Sequence, residues 1–235
     1  MKKIAIYSSL CVLLAAGPLF GQTVGTTGAD TKDEIEQITK AAQIFREIMS
    51  APDKAIPQRI LDDADCIAVF PSVIKAAFGV GGRGGRGVAV CRAKGGWSAP
   101  AFLNIGGGSV GFQIGVESTD YVMLFMTPEG ARSLFETNFK LGGNLSVAAG
   151  PIGREAGAAT DLKMNAQILS YSRSKGLFAG AALEGAVIET ANNDMRDVYG
   201  PNATARGVLF EGAVQAPEQL TAFAKAIDQY SPVKP

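Results

Sequence analysis

Several local patterns could carry chemistry. Gly79, Gly81 and Gly84 satisfy G-x-G-x-x-G, a spacing in which backbone amides deliver a pyrophosphate to a helix N-terminus. The residues that follow, Gly87 to Arg92, read as a strand, so the loop has no helix to open. Ser172 and Lys175 fit S-x-x-K, where lysine activates a serine, but no S-D-N or K-T-G partner occurs in the chain. Tyr171 and Lys175 also have the Y-x-x-x-K spacing of short-chain reductases, without the strand-glycine-helix unit that opens those proteins. Asp62, Asp63 and Asp65 cluster at a helix end, which reads as a solvated acidic turn because a hard cation would need further oxygen ligands.

Histidine is absent from all 235 residues. That removes Ser-His-Asp and Cys-His mechanisms and the commonest zinc and non-haem iron ligand. No catalytic residue, metal or cofactor is assigned, and the chain reads as a non-enzyme.

Charge is balanced, with 22 Lys and Arg against 22 Asp and Glu. A nucleic-acid binder relying on a broad basic field needs an excess of cations, so nucleic acid is not an expected partner. One stretch departs from the average: Lys75, Arg83, Arg86, Arg92 and Lys94 are five basic residues within twenty positions that contain no acid. Beside an anionic bilayer each would contribute about 1 kcal/mol. The plain alternative is a solvated basic hairpin.

Lys2 and Lys3 precede an apolar run from Ile4 to Phe20 and then small polar residues, the layout of a secretory signal peptide cut after Gly21. The alternative is an uncleaved anchor. Residues 22–30 read as a flexible N-terminus. Cleavage leaves 20 basic against 22 acidic residues, a formal charge of −2, and two cysteines, Cys66 and Cys91. Export places the chain in the periplasm or outside the cell, where paired thiols can close.

A capping box at Thr31 and Glu34 opens an amphipathic helix with Ile35, Ile38, Ala42, Phe45 and Ile48 on one face, ended by Pro52. A short helix runs from Pro57 to about Ala64. Cys66 to Phe70 and Gly87 to Cys91 read as strands; paired antiparallel with Phe70 opposite Gly87, they set Cys66 opposite Cys91, a candidate disulfide. In Val110 to Val116 every even position is large and apolar and every odd one is Gly or Gln, so one face is nearly bare backbone. Tyr121 to Met126 is a continuously apolar central strand, which argues against a transmembrane barrel with a polar lumen. A helix from Pro128 to Asn138 follows, then β-like runs at Leu145 to Ala149 and Ala166 to Tyr171. Leu177 to Ile188 fits strand or helix equally. A turn around Asn192 to Pro201 leads to a final helix near Pro217 to Tyr230. The fold class expected is α+β: one domain over residues 31–231 with a Gly-rich, mainly antiparallel sheet, barrel- or sandwich-like, flanked by N- and C-terminal helices.

Taken in order, Ile56-Pro57-x-x-Ile60-Leu61, Ala64-x-Cys66-Ile67-Ala68-Val69-Phe70-Pro71, Lys75, the glycines from Gly79 to Gly87, Trp97-x-x-Pro100, Gly108-x-x-Gly111-x-Gln113-x-Gly115, Ala149-Gly150-Pro151-x-Gly153-Arg154 and Tyr171-Ser172-x-Ser174-x-Gly176-Leu177-Phe178-Ala179-Gly180 resemble the SYLF domain family. The similarity covers essentially the whole chain after the leader. It implies a lipid-binding domain: eukaryotic members bind phosphoinositide-containing membranes and, in fungi, actin, whereas bacterial members are exported and stand alone. Applied here, the resemblance implies binding of anionic lipid head groups or acyl chains, with an envelope protein partner as the alternative. Export argues against actin as a partner. Arg154, Arg173 and Lys175 lie in motifs of that resemblance and join Lys75, Arg83, Arg86, Arg92 and Lys94 as candidate lipid-binding residues.

Overall fold

The computed structural model describes residues 31–51, 55–143, 145–153, 166–174, 177–181 and 183–233, with backbone alone at 78–80 and 109–114. The expected leader over 1–21, residues 22–30, Arg154 and Lys175 lie outside the described residues.

Helix α1 (Lys32–Met49) buries Ile38, Ala41, Phe45 and Ile48, the three- and four-residue spacing that puts one apolar stripe on a helix. The expected capping box does not form. Thr31 makes no side-chain cap bond, and the Glu34 carboxylate accepts instead from Arg86, 3.2 Å away. A short α2 (Gln58–Asp63) follows.

Strand β1 (Cys66–Ala93) is a single element of 28 residues. The separate strands expected at Cys66 to Phe70 and Gly87 to Cys91 are its two ends. After a turn containing β2 (Gly96–Trp97), the chain returns as β3 (Ala101–Phe125), antiparallel to β1 from Cys66↔Phe125 to Ala89↔Ala101. A straight strand spanning 25 residues would cover about 80 Å. Here Cys66 and Cys91, 25 apart in sequence, have Cα atoms 4.0 Å apart and share a disulfide. The β1–β3 ribbon is therefore folded back on itself.

Its ladder is interrupted between Phe70 and Val73, where Ser72 takes φ +51°, and between Phe78 and Val80, midway between the cysteines. Bulges of this kind bend and twist a ribbon. The expected contact of Phe70 with Gly87 is present, but by bending of one strand rather than by pairing of two. A Cβ on Gly87 would lie 2.2 Å from the Phe70 ring, and one on Gly85 would lie 2.8 Å from Val73.

Each half of the ribbon recruits its own neighbours. β6 (Ile168–Ser174) pairs with Asp120 to Phe125 of β3, and β7 (Leu177–Gly180) extends β6. β8 (Val187–Thr190) pairs with Leu103 to Gly106, and β4 (Asn138–Lys140) extends β8. β5 (Val147–Ala149) runs parallel to β6, and every other pairing between these strands is antiparallel. The result is an α+β fold with a mostly antiparallel sheet of eight strands curled into a half-barrel. The ambiguous run Leu177 to Ile188 resolves into β7 and the start of β8.

The helix expected from Pro128 to Asn138 is shorter: α3 (Pro128–Arg132) and one 3-10 turn precede β4. Asn192 to Pro201, read as a turn, contains α4 (Asn192–Tyr199). Only Met195 of α4 is buried, so it carries little apolar periodicity. α5 (Ala205–Leu209) and, after another 3-10 turn, α6 (Ala222–Asp228) complete the chain. α6 packs on α1, with Phe45 edge-on to Phe223 at 6.4 Å and to Tyr230 at 5.9 Å.

Candidate functional site

The six basic candidates among the described residues do not form one surface. Arg86 joins three elements: its guanidinium donates to Asp194 on α4 at 2.6 Å and to Glu34 on α1 at 3.2 Å, and lies 3.9 Å from Asp33. Burial works against its charge, but the hydrogen bond to Asp194 and the acids around it outweigh that and raise its pKa. Next to it, the Gln37 side chain donates to the Gly87 carbonyl at 2.7 Å, tying α1 to β1.

Arg173, on β6, holds the other end of α1. Two of its nitrogens donate to Asp120 Oδ2 at 3.0 and 2.8 Å, and a third donates to Glu47. The second Asp120 oxygen accepts from the Ser72 backbone amide at 2.8 Å, so one carboxylate fixes both the β1 bulge and the arginine. Arg92 faces inward at the closed end of the ribbon. It donates to the carbonyls of Ala64 at 2.8 Å and Leu61 at 3.1 Å and to the Ser231 hydroxyl at 2.6 Å, while lying 4.6 Å over the Trp97 ring. Burial lowers its pKa, opposed by nearby Asp62.

The remaining described candidates face outward or flank the bend. Lys75 stands opposite Glu117 in the ladder, and Arg83 opposite Gly107. The fold-over that sets Val73 against Gly85 brings Lys75 and Arg83 to the same level of the bend. Lys94 is exposed at the far turn, beside a groove of about 330 Å³ lined in part by Trp97, Val208, Leu209 and Val214. Three of the five basic positions in the stretch are thus separated from the two arginines that strap the fold.

The motifs weighed for catalysis have structural employment. Gly79, Gly81 and Gly84 lie within β1 and open no helix. Tyr171 is fully buried, donates to the Pro151 carbonyl at 3.2 Å, and stacks on Phe178 at 5.3 Å; burial pushes its pKa up, away from any role as a proton donor near neutrality. Asp62 accepts from Ser231 at 2.7 Å, Asp63 lies 3.8 Å from Arg59, and burial raises the pKa of Asp65. Among the described residues no group of acids and cysteines is arranged to hold a metal, and no helix is long and apolar enough to cross a membrane.

Of the acids that engage the basic residues, Glu34 reads in the sequence as half of a capping box rather than as a partner of Arg86, and Glu47, Asp120 and Asp194 carry no local sign of their partners. The only available signal was that α1 carries acids at both ends, with Glu34 itself on the buried face. Their partners lie 52, 126, 53 and 108 residues away, and no local pattern encodes such distances.

A family model described as "Ysc84: Las17-binding protein actin regulator" matches residues 106–230. Protein YSC84 of Saccharomyces cerevisiae is 40% identical over 187 residues, covering 76% of this chain and 40% of that protein. Human SH3 domain-containing YSC84-like protein 1 is 36% identical over 207 residues, 86% of this chain and 60% of that protein. LAS seventeen-binding protein 3 of S. cerevisiae is 36% identical over 198 residues, 80% of this chain and 43% of that protein. The chain therefore spans about 40 to 60% of the length of these relatives. These descriptions correct the expectation that set actin aside: the family carries actin regulation and Las17 binding in its description. With a family match over more than half the chain and relatives above 30% identity across three quarters of it or more, the protein belongs to the Ysc84, or SYLF, family.

Proposed function

We propose that this domain, taken as one unit over residues 31–231, is a non-catalytic binder of anionic lipid surfaces, working after export from the cytoplasm. One observation carries the reading. From Cys66 to Val116 the chain contains no Asp or Glu, and acids that reach into this stretch from elsewhere engage Arg86, Arg92 and the Ser72 amide, leaving Arg83 and Lys94 without a carboxylate partner among the described residues.

Lys75, Arg83 and Lys94 are the proposed head-group contacts, with Arg154 and Lys175 retained from their motifs. Arg86, Arg92 and Arg173 serve by holding the ribbon and α1 in place. The Lys94 groove offers a site for an acyl chain. Export is supported by the leader-like run before Gly21 and by a disulfide, which persists in oxidising compartments.

Co-sedimentation with vesicles of phosphatidylcholine, with and without phosphatidylglycerol, tests this. Binding should require the anionic lipid, weaken with salt, and fall by about fivefold for each of Lys75, Arg83 and Lys94 changed to Gln. Absence of binding to both vesicle types would sink the reading. A second reading, action through a protein partner in actin regulation, is favoured by the names of the relatives. Actin co-sedimentation of the same protein separates the two.

A further inference from the structure

We propose that the rim formed by the bent ribbon, with Ile74 and Val116 on one face, and by β7, with Leu177 on the other, is the part of the molecule that enters a lipid surface. This rests on the lipid-binding reading and adds the place and pose of contact. Among the described residues four large apolar side chains are exposed: Ile74 at 45%, Val116 at 76%, Leu177 at 68% and Phe210 at 38%. Phe210 is packed edge-on against Phe135, 4.3 Å between ring centres. Ile74 and Val116 lie on the ribbon beside the bend, and Leu177 lies on β7 opposite Ser174, whose hydroxyl reaches Glu117 of the ribbon.

Their faces follow from the ladder. Ile74 is paired with Ser118 and Ala76 with Val116. Side chains alternate along a strand and opposed residues share a face. Ile74 and Val116 therefore stand on the face of Asp120, which Arg173 and α1 cover further along. Ser174 donates to Glu117 at 3.0 Å, and Leu177 is paired with Ser174. Leu177 thus belongs to the other face.

A rigid partner docking on a sheet covers one of its faces. An apolar fluid surrounds a protruding rim and covers both, and the charge at the rim suits an anionic one. Lys75 and Arg83 flank the bend, no acid precedes Glu117 in the ribbon from Cys66 onward, and Glu117 itself faces Lys75 across the ladder. Three side chains suffice for shallow insertion at the depth of the head groups and the first acyl carbons. Their apolar surface would otherwise remain in water, where each uncovered large side chain is an unfavourable exposure.

The test uses the full chain and flotation with phosphatidylcholine vesicles containing phosphatidylglycerol. Val116→Asp and Leu177→Asp should each lower the partition coefficient about tenfold, the value of one buried aliphatic side chain. Phe210→Asp should leave it unchanged. Val116→Ser with Leu177→Ser removes apolar area without adding charge and should show the same direction, which keeps the test valid if a charged variant is poorly folded. In a Trp97→Phe background, Val116→Trp should shift its emission to the blue when vesicles are added. Wild-type levels of binding by the rim variants, with no emission shift, overturn the rim and leave lipid binding standing. No vesicle binding by the wild-type protein overturns both.

Discussion

Replacing Cys66 and Cys91 together by alanine is expected to lower the free energy of unfolding by about 3.5 kcal/mol. The bridge closes a loop with a sequence separation of 25, and cross-linking removes that loop's entropy from the unfolded chain. Both cysteines are fully buried, so loss of sulfur packing adds to the effect. Urea denaturation provides the measurement. Oxidised wild type should unfold at a higher midpoint than the alanine variant, and reductant should bring the wild type down to nearly the variant's value while leaving the variant unmoved. Coincident curves for oxidised and reduced wild type would mean that the two thiols are not bridged.

Two glycines three residues apart in the same strand should respond to alanine with opposite signs. At Gly87 a Cβ would sit 2.2 Å from the Phe70 ring, which is itself fully buried against the core. Neither can move without prising the two halves of the ribbon apart, and overpacking of this kind costs about 3 kcal/mol. At Gly84 a Cβ would meet nothing within 4 Å, and the backbone there is not left-handed. Gly84→Ala should stabilise by about 0.5 kcal/mol, because alanine has fewer unfolded conformations to lose. Thermal unfolding of the two variants beside the wild type decides the matter. Equal effects would mean that the glycines serve strand flexibility alone, without a packing role at Gly87.

These two residues show what the sequence can express. A run of glycines and short apolar segments is visible as β-structure, and the symmetry of Cys66, Phe70, Gly87 and Cys91 about a common centre suffices to bring them together. It does not reveal whether they belong to two strands or one, because a bent strand and a hairpin put the same residues in contact. The deciding features are the Ser72 bulge, whose backbone N–H donates a hydrogen bond to the Asp120 carboxylate, and the second irregularity at Phe78 to Val80. Neither has a local signature in Pro71-Ser72-Val73 or in a single glycine.

The basic stretch illustrates the same limit in electrostatic form. Its residues are legible as a cluster of one sign, yet Arg86 within it, like Arg173 on β6, meets carboxylates from α1, β3 and α4 that only the tertiary fold delivers. The helix α4 was hidden for a related reason. With a single buried side chain it is positioned by its ion pair to Arg86 and by Tyr199, which donates to the Pro100 carbonyl at 2.8 Å, rather than by an apolar stripe.

The bridge between the ends of β1 also makes residues 66 to 91 a covalent ring, along which β3 lies paired. A protease that cuts once inside that ring opens it without releasing anything. The nicked molecule keeps its two pieces joined through sulfur and gains only the mass of one water, and it travels as an intact chain until reductant is added. The flanks of the bend, where Ser72, Ile74, Ala76, Gly82 and Gly84 are exposed, can thus be severed while the sheet on either side remains one molecule.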